Sequence, residues 1–242
     1  MWNNINYEKC LSFINYQLRP GTRSSAEPLI NPAITISRMT GAGGHTVADK
    51  LAEYLQANVP GHAPWTVFDR QLVEKVLEDH HLSKRIAEFM PEKHRSLLTD
   101  MFEELLGLHP SDWTLVHQTA ETILHLAQMG NVILVGRGAA VVTRKLDNVF
   151  HVRLMGSLEK RTEQVQKVYG YDRKTAINFI NREDKGRKRF VKEHFEEDPE
   201  NPLLYDLGIN TDRIPYEEAA ELIGAEVIRR FHLDRRVQTE AA

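Results

Sequence analysis

Three stretches of the sequence gather residues that can handle a phosphate. From Ser37 to Thr46 the chain reads Ser-Arg-Met-Thr-Gly-Ala-Gly-Gly-His-Thr. Glycines let backbone N–H groups turn toward an anion, and a helix that follows them adds the partial positive charge of its N-terminus. Thr40, Gly41, Ala42, Gly43, Gly44, His45 and Thr46 are therefore the candidate cradle for nucleotide phosphates; a tight turn with nothing bound is the competing reading. Further along, Arg137 stands between Gly136 and Gly138 directly after the apolar run Val132 to Val135. A charge at the end of a buried strand is costly without an anion partner, so Gly136, Arg137 and Gly138 are candidate substrate contacts. Third, Arg182 to Lys192 carries six basic residues against two acidic ones. On a helix Arg182, Lys185 and Arg189 share one face, from which guanidinium groups could clamp phosphates, and Arg182, Arg187 and Arg189 are the catalytic candidates there. A solvated helix face is the alternative.

Two phosphate-binding arrangements compete for the glycine loop. A dinucleotide fold puts its glycines directly after the first strand and an acid at the end of the second, and Asp69 suits that. The intervening Arg38, Met39 and Thr40 lengthen the loop, however. The P-loop pattern G-x-x-x-x-G-K-[ST] fits the length, but Arg38 replaces its first glycine and Gly44 its lysine. In a P-loop, Arg38 at the loop mouth could replace the missing lysine, or could instead tie the loop to an acid such as Asp69. Thr46 falls where a hydroxyl meets Mg²⁺ or phosphate, or it bonds its own first helical turn. Asp69 could orient an acceptor or hold metal-bound water, with Arg70 beside it; pairing with Arg70 or Arg38 is the alternative. His45 borders the loop, and a capping or exposed role competes with phosphate contact.

These residues need strands and helices to hold them. Strand-like runs fall at 33–37, 65–69, 132–135, 149–154 and 206–210. Helical patterns cover 46–56 and 216–230, and Ser157 caps another helix. A long helical stretch runs from 70 to 129, with breaks near Pro91 and His109-Pro110. Strands separated by helices imply an α/β protein with a parallel sheet, whose ligands sit beyond the carboxyl ends of the strands. Those ends are Ser37-Arg38, Asp69, Gly136-Arg137 and Asn210. Residues 19 to 32 hold three prolines with Gly, Ser and Thr and read as a linker. A short helix before it, Tyr7 to Leu18, would dock on the main body. His80 and His81 diverge on a helix and read as surface residues, and Trp113 as core.

The chain has 242 residues, 41% of them apolar, with 31 basic and 34 acidic residues and a formal net charge of −3. Disorder is excluded by the apolar content and the charge balance. A generally basic nucleic-acid binder is disfavoured. Cys10 is the one cysteine, so an internal disulfide and a Cys-x-x-Cys zinc site are both excluded. No basic start followed by an apolar run marks a signal peptide, and no run reaches the roughly 20 apolar residues of a membrane span. A soluble cytoplasmic protein is expected.

Several motifs, in order, resemble the cytidylate kinase-like family, a divergent branch of the P-loop nucleoside monophosphate kinases. Ile34 to Arg38 leading into Gly41-Ala42-Gly43-Gly44 is similar to its opening motif, and Phe68-Asp69-Arg70 to its second strand end. Val135-Gly136-Arg137-Gly138 resembles its Gly-Arg-Gly turn, which is Gly-Arg-Asp in ordinary cytidylate kinases. Asn181 to Phe190 resembles its arginine-rich lid, and Leu204 to Thr211 its fifth strand. The resemblance implies a three-layer α/β/α core with a five-stranded parallel sheet, spanning residues 33–235. Within it, 70–129 would be a helical acceptor-binding insertion and 181–200 a mobile lid, with an extension at 1–32 and a tail at 236–242. It also implies ATP and Mg²⁺ as phosphoryl donor and a nucleoside monophosphate or similar small acceptor. Gly44 raises a second expectation, a nucleotide-binding regulatory protein with weak or no kinase activity. A dinucleotide-binding oxidoreductase is the third. The apolar stretch 97–108 could serve a homodimer contact.

Overall fold

A computed structural model describes residues 8, 12–14, 31–59, 64–78 and 114–234. His80, His81, Trp113, the stretch 97–108, the tail and most of the extension lie outside the described residues. Five strands form the sheet: β1 (Ala33–Arg38), β2 (Thr66–Phe68), β3 (Val132–Val135), β4 (Val149–Met155) and β5 (Leu207–Asn210). They run parallel in the order β2-β3-β1-β4-β5. The helices are α1 (Gly44–Asn58), α2 (Arg70–Glu78), α3 (Thr114–Met129), α4 (Ala139–Val142), α5 (Leu158–Tyr169), α6 (Arg173–Phe195) and α7 (Tyr216–Arg230).

β3 reads Val-Ile-Leu-Val and is buried throughout, as a central strand covered on both faces must be. In β1 and β4 the side chains alternate between two cores. Ile34, Ile36, Phe150, Val152 and Leu154 pack with α1 and α7. Ala33 and Val149 pack with α2, α3, α4 and the end of α6. The sheet thus lies between two helical layers. On that second face β1 and β4 also carry polar side chains, and Thr35 Oγ1 lies 2.8 Å from His151 Nδ1. Phe13 is buried edge-on against Phe68, with ring centroids 6.0 Å apart.

Two elements differ from the sequence reading. α1 starts at Gly44, two residues early, because Gly43 adopts φ +80° and turns the chain into the helix without a side-chain cap. The basic segment is not an element of its own but the second half of α6, a 23-residue helix whose N-cap, Asp172, accepts from Thr175 N at 2.9 Å. Its inward stripe is Ala176, Ile180, Val191 and Phe195. Asp184 and Arg187 fall on the same stripe and interrupt it with charge.

Candidate active site

The glycine loop joins the end of β1 to α1. Met39 N donates to the Leu154 carbonyl at 3.1 Å, pinning the loop to β4. The first-turn amides of α1 have no partner within the helix and no side-chain cap, so they are available to an anion.

Arg38 fills the space where the P-loop pattern has its lysine. A Cβ placed on Gly44 would lie 2.9 Å from Arg38 Cγ and 3.1 Å from Cδ. The guanidinium continues across to Gly136, where a Cβ would collide with its Nη1. Glycine at both positions is thus a consequence of the arginine's path. Burial pushes the Arg38 pKa down to about 10; Arg187, Arg137 and Arg153 push the same way, and Asp69 opposes them. At neutral pH the group is still a cation, held in a positive neighbourhood. No carboxylate among the described residues lies within 4 Å of it, so the pairing with Asp69 does not form.

Asp69 does two other things. Its Oδ1 accepts from Leu72 N at 3.0 Å, capping α2, and its Oδ2 lies 3.9 Å from His45 Nδ1. His45 is exposed, and its pKa is lowered by partial desolvation and by Arg38, against the opposing pull of Asp69. Thr46 is half-buried in the first turn of α1. Arg70 pairs with Glu74 at 3.0 Å rather than with Asp69. The same Glu74 holds Arg137, whose ring-facing side lies 5.6 Å from the centre of Phe190. Arg137 sits at φ +55° between Gly136 and Gly138, and its buried Nε has no hydrogen-bond partner. Burial and Arg70 lower its pKa while Glu74 opposes.

On α6 the residues that meet the loop are not the expected trio. Arg182 and Arg189 side chains are 73% and 71% exposed and pair with Glu183 and Glu193 of their own helix. Lys185 is exposed as well. Arg187 does reach the loop, donating to Thr40 Oγ1. Beside it the Asp184 carboxylate accepts from Thr40 N at 2.7 Å and from Thr40 Oγ1 at 2.6 Å. Arg161 of α5, only 7% exposed, completes the cluster through Asp184 at 2.6 Å and the Thr40 carbonyl at 3.2 Å. Sequence reasoning passed over Asp184, Arg161 and Glu74. The signal for Asp184 was its place on the apolar stripe of α6.

The remaining polar group lies on the sheet. Arg153 of β4 donates to Ser37 Oγ at 2.8 Å, and its guanidinium lies 5.8 Å from the centre of the Tyr205 ring. The Tyr205 hydroxyl donates to the Pro199 carbonyl at 2.7 Å and lies 3.1 Å from Ser37 Oγ. Arg38, Arg137, Arg153, Arg187 and Tyr205 all border one cavity of about 600 Å³ between the sheet, α4 and α6. Arg182 and Arg189 line the cavity too, with side chains mostly in solvent.

A parallel five-stranded sheet between two helical layers, with a glycine loop between β1 and α1 and a cationic cavity at the strand ends, is a three-layer α/β fold of the P-loop type. The chain belongs to the cytidylate kinase-like family, whose sequence profile matches residues 33–213. A cytidylate kinase from Methanopyrus kandleri is 28% identical over 206 residues, covering 82% of this chain and 94% of that one. A uronate isomerase from Corynebacterium glutamicum is 28% identical over 123 residues, 51% of this chain but 24% of that protein. The chain thus spans about a quarter of that relative's length. An uncharacterized protein from Eubacterium ventriosum has the same fold, with a TM-score of 0.61 at 22% identity over 81% of this chain and 98% of that one. Among the described residues no helix is long and apolar enough to cross a membrane.

Proposed function

We propose that the chain transfers the γ-phosphoryl group of ATP to a small anionic acceptor of the nucleoside monophosphate kind, with Arg38 in the role of the P-loop lysine. The observation that carries this reading is the path of Arg38 over Gly44 and Gly136, at the mouth of the glycine loop and on the edge of the cavity. Phosphoryl transfer asks the protein for positioning and for positive charge around the moving group. The loop amides and the N-terminus of α1 hold the donor phosphates, and Arg38 supplies the cation beside them. An acceptor oxygen bonds to the γ-phosphorus as the bond to the β,γ-bridging oxygen breaks, and ADP leaves.

Mg²⁺ would neutralise charge on the donor phosphates. No three carboxylate, histidine or cysteine side chains converge among the described residues. A cation that brings phosphate and water oxygens with it needs few protein ligands. The candidate oxygens beside the loop belong to Thr46, in the first turn of α1, and to Asp69, whose Oδ2 lies 3.9 Å from His45 Nδ1. Thr46 and Asp69 are the residues that would hold it.

The test is coupled ADP release with Mg²⁺ across CMP, UMP, AMP and GMP. Acceptor-dependent turnover by the wild type, reduced about a hundredfold or more in Arg38→Ala, is the expected result. A second reading, a nucleotide-binding regulatory protein, draws on the Asp184 carboxylate already seated on the Thr40 amide. ATP binding without turnover on any acceptor would favour it. If neither ATP nor a monophosphate binds, the assignment of the loop fails.

A further inference from the structure

The cations around the cavity divide by whether a carboxylate answers them. Arg70 and Arg137 share Glu74. Arg161 and Arg187 share Asp184. Lys188 meets Asp198 and Glu200, and Arg182 and Arg189 have glutamates on their own helix. Arg38 and Arg153 have no carboxylate within 4 Å among the described residues. They are also neighbours: Arg153 is the register partner of Ser37, the residue before Arg38, on the adjacent strand. The two side chains leave their strands on opposite faces, yet both border the cavity, and Arg153 lies close enough to Arg38 to help lower its pKa.

A guanidinium has five N–H donors, and Arg153 uses one of them, on Ser37 Oγ. That bond and the Tyr205 ring fix the direction of the side chain. Tyr205 is in turn fixed by Pro199 and Ser37. Arg153 is thus held rigidly, half-buried and bordering the cavity, with a full charge and most of its donors unspent. Such a charge is expensive to keep unless an anion completes it.

We infer that Arg153, held by Ser37 and Tyr205, forms an anion subsite for the acceptor, so that the acceptor is a small molecule carrying its own phosphate or carboxylate and is recognised through that group. This rests on the kinase reading and adds a place to it: the acceptor's charge docks on β4 beside Arg38, not on the Gly136-Arg137-Gly138 turn, where Glu74 already neutralises the arginine. A guanidinium in that position also sets the acceptor against the loop, where the γ-phosphoryl group arrives.

The test is calorimetric titration of the full chain with CMP, cytidine, inorganic phosphate and acetate, and separately with ATP. The variants are Arg153→Ala, Arg153→Gln and Arg137→Ala. Gln keeps a donor for Ser37 Oγ, so it guards against a folding defect, and thermal melts check each variant. Expected are binding of at least one anion by the wild type, weakened about tenfold or more in both Arg153 variants and less than about threefold in Arg137→Ala. ATP affinity should stay within about threefold throughout. CMP and phosphate binding without acetate binding identifies the group as a phosphate; acetate binding identifies a carboxylate. Cytidine binding as strongly as CMP would overturn the subsite. So would anion binding lost in Arg137→Ala but kept in the Arg153 variants, or no anion binding by the wild type. Loss of ATP binding in the wild type would instead defeat the kinase reading on which the subsite rests.

Discussion

Two groups of arginines lie within reach of the glycine loop, and they are built on opposite principles. Arg161 and Arg187 converge on Asp184, whose carboxylate is saturated by two guanidinium groups, the Thr40 amide and the Thr40 hydroxyl. Arg38 and Arg153 have hydrogen-bond donors to spare and, among the described residues, no carboxylate within 4 Å. The first group joins α5, α6 and the loop into one unit, and its charges are spent on the fold. The second group leaves its charge in the cavity. A positive cluster is therefore not evidence of an anion site until its counter-ions are assigned, and here the assignment separates structural arginines from ligand-facing ones.

This contrast can be broken by moving one partner at a time. Asp184→Ala leaves Arg161 buried without its counter-ion, and we expect a loss of about 2 to 4 kcal/mol in urea unfolding. Arg38→Ala and Arg153→Ala should cost less than about 1 kcal/mol, because each removes a charge the fold does not use. An Arg153→Ala loss as large as that of Asp184→Ala would erase the distinction. Gly44→Lys should destabilise the wild type by about 1 to 3 kcal/mol through overlap with Arg38, and Arg38→Gly in the same chain should relieve it.

A smaller effect tests the sheet face beneath Arg153. Burial, helped by Arg230 and opposed by Asp206, lowers the pKa of His151 below its ordinary 6.5. The unfolded chain then takes up a proton near 6.5 while the folded chain does not, so stability is full above that pH and falls as pH drops through it toward the folded value. The slope of this limb should not exceed about 1.4 kcal/mol per pH unit, and His151→Asn should flatten it in pH-dependent melts. Smallest of all, Arg182→Ala and Arg189→Ala should change stability by less than about 0.5 kcal/mol, since their partners are exposed. The same two changes should leave turnover within about threefold.

The sheet was legible because its strands are short apolar runs separated by helical patterns, and only strand ends moved by a residue. The loop was legible from its glycines. What the sequence concealed were the counter-ions. Glu74 and Asp184 are ordinary acids on helices, and only the turn of α2 and the inward stripe of α6 decide which arginine each one meets. The basic run shows the same limit: helical spacing puts Arg182, Lys185 and Arg189 on one face but does not say which face is buried. The apolar residues Ile180 and Val191 set that, and they turn Asp184 and Arg187 inward. Arg153 was overlooked as one residue of a strand, although a lone charge in Val-Phe-His-Val-Arg-Leu-Met is itself a signal.

The most direct measurement is the steady-state rate of ADP release with Mg²⁺–ATP and the best monophosphate acceptor, for the wild type, Arg38→Ala and the exchange variant Arg38→Gly with Gly44→Lys. If Arg38 does the work of the P-loop lysine, Arg38→Ala should lose about a hundredfold or more in kcat with ATP affinity little changed, and the exchange variant should recover at least about tenfold of that loss. Turnover of Arg38→Ala within about threefold of the wild type would contradict it.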